Sequence, residues 1–156
     1  MIDLTFKVSE KEKFNVRSAA IIKYQDNYLI SKREEKDYYS ITGGKVTFGE
    51  DSKTAILREL KGELDFDIAR SDASLVRIIE NFYTYNDGTK FHEYLFVYLI
   101  ELGKEYFEKG DFINKENTLM HMIWFKENVF LNLNIKPQIL KGVVENKEFK
   151  HITLNG

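Results

Sequence analysis

Gly43-Gly44-Lys45-Val46-Thr47-Phe48-Gly49-Glu50, running on through Asp51 to Leu57 into Arg58-Glu59-Leu60-Lys61-Gly62-Glu63-Leu64-Asp65-Phe66, is the stretch on which the reading turns. Ile56, Leu57, Leu60 and Leu64 recur at helical spacing, which predicts an amphipathic helix over 52–64 packed on a sheet. Asp51 or Ser52 is its expected N-cap. Gly43 and Gly44 close a strand-like run, Tyr38-Tyr39-Ser40-Ile41-Thr42, and are expected to let the backbone turn sharply and approach a ligand closely. Glu59 and Glu63 stand four residues apart and so project from one side of the helix. On a bare helix that like-charge pair is unfavourable by about 0.2–0.5 kcal/mol. A shared hard cation gives the pair a reason; a solvated face with Lys61 nearby is the plain alternative.

Outward from this segment, 19–24 and 28–32 are β-rich and separated by the turn formers Gln25-Asp26-Asn27, which predicts a hairpin. A second hairpin is predicted with arms 77–85 and 91–99 around Asn86-Asp87-Gly88. A later helix is expected to start at Pro137, whose fixed φ suits a first helical position, and to bury Ile139, Leu140, Val143 and Val144. His151-Ile152-Thr153-Leu154 reads as a final strand. Residues 104–117 are polar and read as a loop carrying a helical turn. Strands on both sides of one strong helix, then a late helix, indicate an α/β/α sandwich with a mixed β-sheet. No repeat or linker divides residues 1–156, so one domain is expected.

With 23 Lys+Arg against 25 Asp+Glu the chain has no broad positive field for a nucleic-acid polymer or an anionic membrane, which leaves small ligands as partners. The absence of cysteine excludes disulfides and thiolate metal sites and fits a reducing, cytoplasmic setting. His92, His121 and His151 lack metal-ligand spacing, so zinc is not expected. No Gly-rich loop followed by Lys and Ser or Thr is present, which argues against a P-loop nucleotidase. No apolar run is long enough for a bilayer-spanning helix.

The quoted segment resembles the Nudix box: Gly, five residues, Glu, seven residues, Arg-Glu, an aliphatic residue, any residue, Glu-Glu, any residue, Gly, then an apolar residue. Gly44, Glu50, Arg58, Glu59, Leu60, Glu63 and Phe66 occupy matching positions with both long spacers intact. The resemblance implies a Nudix-like fold and hydrolysis of a phosphoanhydride bond in a nucleoside diphosphate linked to another moiety. Nucleoside triphosphates, ADP-ribose-like diphosphates and dinucleoside polyphosphates remain open as substrates. It further implies Mg²⁺, with Mn²⁺ as a substitute, held by Glu59, Glu63 and the backbone carbonyl of Gly44. Glu59 or Glu63 then orients or deprotonates the attacking water, and Arg58 pairs with Glu50 to brace the loop.

Two positions depart from the box. Asp65 replaces the terminal glycine, a mild change because Asp tolerates the left-handed conformation. Gly62 replaces the first Glu of the Glu-Glu pair; interior glycine costs a helix about 1 kcal/mol relative to Ala, and a carboxylate is lost from a site that ordinarily has three. Nothing in the sequence explains it. A second reading therefore stays open, a Nudix-fold domain that binds or senses a nucleotide without hydrolysing it. Glu93 and Glu116 are candidates for a further acidic ligand from outside the box. Arg33 is a candidate phosphate contact, and Tyr83, with Tyr85, Phe91 and Tyr94, a candidate base-stacking cluster. A homodimer is compatible with the sequence, since symmetric dimers are common, but no residue specifies one.

Overall fold

A computed structural model of the chain describes residues 1–155. In chain order the strands and helices are β1 (Thr5–Ser9), β2 (Glu12–Tyr24), β3 (Asn27–Arg33), β4 (Tyr39–Ser40), β5 (Thr42–Lys45), α1 (Ser52–Leu64), β6 (Ala73–Thr84) and β7 (Lys90–Glu101). There follow α2 (Lys104–Phe107), β8 (Phe112–Ile113), β9 (Met120–Lys126), α3 (Glu127–Phe130), α4 (Gly142–Glu145) and β10 (Lys150–Asn155). One mixed sheet runs in the order β10-β6-β7-β2-β3-β9-β8, with β1 and β5 added to β2 and β4 to β3.

The central strand β2 organises the molecule. One of its edges pairs in parallel with β7 from Glu12 to Lys23. The other takes, antiparallel and in succession, β1, β5 and β3. Because strand side chains alternate between faces, the buried run in β2 feeds two cores. Ala19 and Ile21 join Val97, Leu140 and Val143 on one face. Ala20 and Ile22 join Ile56, Leu60 and Leu64 of α1 on the other. Such near-continuous apolar strands are expected where both sheet faces are covered. Among the described residues no helix is long and apolar enough to cross a membrane.

Both predicted hairpins are present, β2–β3 and β6–β7, with longer arms than the sequence suggested. Helix α1 spans Ser52–Leu64 as expected. Its N-cap is Asp51, whose side chain accepts from the Thr54 amide at 2.7 Å. Asp65 ends it at φ 58°, with its amide donating to carbonyls of the last turn. The final strand forms as β10, parallel to β6.

Three expectations are corrected. Gly43 and Gly44 do not turn the chain; they lie inside β5, opposite Ala19 and Ser18. The glycine pair misleads because the long-range pairing with β2, rather than the local sequence, sets the conformation. Pro137 is not a first helical residue: at ψ 145° it caps a 3₁₀ turn, Gln138–Lys141, which leads into the single-turn α4. Leu140 and Val143 are buried there as expected, while Ile139 and Val144 are only partly buried. Leu57 is likewise only partly buried, and Ala55 takes its place on the apolar stripe of α1.

Candidate functional site

The entry to α1 is held by a dense polar clamp. The Glu50 carboxylate accepts from the Thr47 amide at 2.8 Å, closing the loop before the helix. It also takes a forked pair from Arg58, Nη2 at 2.7 Å and Nε at 3.3 Å. That fork is the bidentate geometry at which arginine is strongest. Arg58 Nη2 also donates to the Lys45 carbonyl at 3.2 Å, and Nη1 donates to Glu59 at 2.7 Å. Arg58 thus ties strand, loop and helix together and orients Glu59. The guanidinium beside Glu50 holds that carboxyl below the usual carboxylate range. Arg58→Ala is expected to cost about 1.5–3 kcal/mol, the range for hydrogen bonds to charged groups, with Arg58→Lys recovering less than half because it has no fork. Urea unfolding of the two variants checks this. The contribution requires ionised Glu50, so it is present above the unfolded pKa and lost as pH falls through the depressed folded one.

Glycine now has a steric explanation at two positions. A Cβ at Gly44 would lie 2.5 Å from Glu59 Oε1, so the carboxylate rests directly on the β5 backbone. A Cβ at Gly62 would collide with the Glu116 carboxylate, which reaches over the helix at the position the box assigns to another glutamate. Glu116 is delivered by the loop between β8 and β9. Asn114, buried there, accepts through Oδ1 from the amides of Glu116 at 2.9 Å and Asn117 at 3.0 Å, a side-chain-closed turn. The Lys115 amide donates to the Glu63 carbonyl at 2.7 Å, pinning this turn to the end of α1.

One carboxylate oxygen from each of Glu59, Glu63 and Glu116 lies within 4.8 Å of the others. Burial, followed by the charges of Glu59 and Glu116, pushes the Glu63 carboxyl up to about 7. Its Oε2 is buried without a hydrogen-bond partner. Three converging carboxylates with an orphaned buried oxygen form an all-oxygen donor set of the kind a hard divalent cation takes.

Glu63 opens onto a cleft of ≈ 180 Å³ that is also lined by Arg17, Thr42, Asn114, Lys136 and Leu140. A larger cavity of ≈ 530 Å³ lies among Val8, Phe14, Phe82 and His92. It contains none of the three carboxylates, so its size does not make it the reaction site.

The remaining candidates are dispersed. Glu93 is buried on β7, with Tyr83 Oη and Asn81 Nδ2 each at 3.5 Å and Arg17 at 3.8 Å, and it is not part of the carboxylate cluster. Arg33 is half-exposed at the end of β3 and paired with Glu35 at 2.5 Å. Tyr83 stacks on Phe91 at 5.0 Å with Tyr85 beside both. Tyr94 is not with them: it is on the opposite face, edge-on to Phe14, because it is odd-spaced from Phe91 along β7. Arg17, Asn114 and Lys136 had not been singled out from the sequence. Asn114 alone carried a local signal, the turn-forming run Asn114-Lys115-Glu116-Asn117.

The NUDIX domain family model matches residues 14–146. No curated protein sequence matches the chain significantly. Among solved structures, the mutator MutT protein of Bacillus halodurans is similar at TM-score 0.66 and 17% identity, over 90% of this chain and 89% of that one. A MutT structure from Aliivibrio salmonicida or Vibrio cholerae follows at 0.59 and 20%, over 85% and 94%. A NUDIX hydrolase of Nitrosomonas europaea gives 0.57 and 16%, over 91% and 79%. At these identities the structural likeness establishes the fold.

Proposed function

The chain belongs to the Nudix family of pyrophosphohydrolase-type proteins, and from that premise we propose that it hydrolyses, with Mg²⁺, a phosphoanhydride bond in a nucleoside diphosphate derivative. The observation that carries this reading is the convergence of Glu59, Glu63 and Glu116 around the orphaned Oε2 of Glu63. Those three carboxylates, with the Gly44 backbone beside Glu59, would hold the ion. When bound, Mg²⁺ supplies charge neutralisation on the diphosphate and acidifies a coordinated water.

The chain's own residues divide the remaining work. Glu59, held by the Arg58 guanidinium, is a fixed ligand. Glu63 faces the cleft, and its carboxylate is the group that takes the proton of the attacking water. Arg17 and Lys136 line the same cleft and place positive charge where a diphosphate would lie. The whole chain is read as one functional domain, since both cores share β2.

The sensing alternative rests on the carboxylate missing at Gly62. Glu116 supplies a third carboxylate at that same place, which favours turnover over silent binding. The deciding assay is phosphate or nucleotide release from a panel of nucleoside diphosphate derivatives. Turnover is expected with Mg²⁺, with Mn²⁺ as a weaker or equal substitute, and abolished by EDTA. Binding of a panel member without release of any product, at full Mg²⁺, would overturn the hydrolase reading.

A further inference from the structure

Among the described residues Glu93 is the most buried acid, 2% exposed, and the hydrolysis proposed above gives it no task. It lies in the middle of a cross-strand row, with Asn15 on β2 and Asn81 on β6 directly beside it. Its oxygens are loosely held. Oε2 meets Asn81 Nδ2 at 3.5 Å, while Oε1 meets Tyr83 Oη at 3.5 Å and Arg17 Nη1 at 3.8 Å. Burial, and then the charge of Glu93, push the Tyr83 phenol up, so the tyrosine meets the carboxylate as a neutral hydroxyl. A buried carboxylate without a firm partner is costly. Among the described residues the one cation paired with it is Arg17.

Arg17 stands between opposed influences. Across one edge of β2 it faces Lys45 of β5, a like charge directly opposite. Across the other edge Glu93 is on the diagonal, a distance that long side chains span. The guanidinium is thus pushed from β5 and drawn towards β7. The Arg17 side chain stays 41% exposed and lines the cleft beside Glu63. Glu93 lines neither that cleft nor the second cavity that Arg17 borders, so its route to a bound ligand is through Arg17.

Resting on the hydrolase reading above, we propose that Glu93 is a positioning residue, which orders the Arg17 guanidinium over the cleft in advance of the substrate's diphosphate. An arginine ordered beforehand spares the bound anion the entropy of fixing a long side chain. The sign of the effect sets this role apart from a plain field effect. A negative charge near an anion repels it, so a Glu93 acting by its field alone would permit tighter binding once neutralised. A positioning Glu93 gives the reverse.

The test is calorimetric titration of the full chain, in Mg²⁺, with methylenediphosphonate, a diphosphate analogue whose bridging carbon resists hydrolysis. Glu93→Gln is expected to weaken binding about tenfold, the upper scale for ordering one long side chain. Arg17→Gln should weaken it at least as much, and the double variant Arg17→Gln/Glu93→Gln no further than Arg17→Gln alone. General damage to the fold would instead weaken binding in both backgrounds. Affinity for Mn²⁺ alone, read by electron paramagnetic resonance, should be unchanged in Glu93→Gln. Should the neutral variant fail to fold, Glu93→Asp keeps the charge but withdraws it by one methylene. It should weaken binding at least about threefold beside Arg17 and leave it unchanged beside Arg17→Gln. No binding to the wild type, unchanged or tighter binding in Glu93→Gln, additive losses in the double variant, or loss of Mn²⁺ affinity overturns the proposal. The hydrolase reading fails by a different result, absence of product from every nucleoside diphosphate derivative in Mg²⁺, which leaves the diphosphonate affinities and their non-additivity intact.

Discussion

Glu63→Gln is expected to lower Mg²⁺-supported turnover about a thousandfold, the upper range for removing one preorganised charge-stabilising group, while raising the stability of the metal-free protein. The second half follows from linkage. In the fold, burial and then the charges of Glu59 and Glu116 push the Glu63 carboxyl up to about 7 from an ordinary value of 4.5. The folded state therefore binds this proton more tightly than the unfolded chain. Stability falls as pH rises from about 4.5 through about 7 and stays reduced above it. Glutamine carries no charge to bury, and its amide can donate to the neighbouring carboxylates. With allowance for the part of the group that water reaches, the gain at pH 8 is on the order of 1–2 kcal/mol, or a few degrees in Tm. At pH 4 the two proteins should melt alike. Paired melting curves at pH 4 and 8 in EDTA, together with kcat in Mg²⁺, test both halves. A variant less stable at pH 8, or one retaining a tenth of wild-type turnover, would be incompatible with a strained catalytic carboxylate at this position.

The second large effect concerns Gly62. Glu116→Ala alone is expected to reduce turnover about a hundredfold, and Gly62→Glu alone to disturb the site by driving its new side chain into Glu116. Combined, Gly62→Glu with Glu116→Ala, which clears the space beside the helix, moves the carboxylate from the loop back to the helix, and turnover should recover at least tenfold over the Glu116→Ala variant. This non-additivity is the signature of one position filled from two places in the chain. Gly62→Ala gives an independent reading: the helix gains about 1 kcal/mol, whereas Mg²⁺ affinity falls as Glu116 is pushed aside. Additive losses in the double variant would show that Glu116 does not stand in for the absent glutamate.

What the sequence made legible was local in origin. Helix α1, its Asp51 cap and the left-handed Asp65 all follow from side chains within one or two turns of one another, and the structure has them where periodicity and capping chemistry place them. The Glu50–Arg58 clamp came with the box. What stayed hidden depended on partners remote in sequence. Gly62 could not be understood without Glu116, and Gly44 without the Glu59 carboxylate lying on it. Gly43 and Gly44 looked like a turn because their strand partner, β2, is far upstream. The alternation of faces in β7 separates Tyr94 from Phe91, so closeness along the chain does not make these aromatic residues one cluster.

With a cation held as proposed, the Asn114 turn that carries Glu116 would also link its binding to the order in which the chain assembles. The helix supplies Glu59 and Glu63 from a contiguous segment, but the third carboxylate arrives only after the β8–β9 edge has docked and the Lys115 amide has reached the Glu63 carbonyl. A partly folded chain with α1 formed and that edge detached would possess two acids and no cage. Divalent ions would then discriminate between the finished molecule and its near-native precursors, stabilising the former by mass action and acting as a reporter of closure at the far side of the sheet.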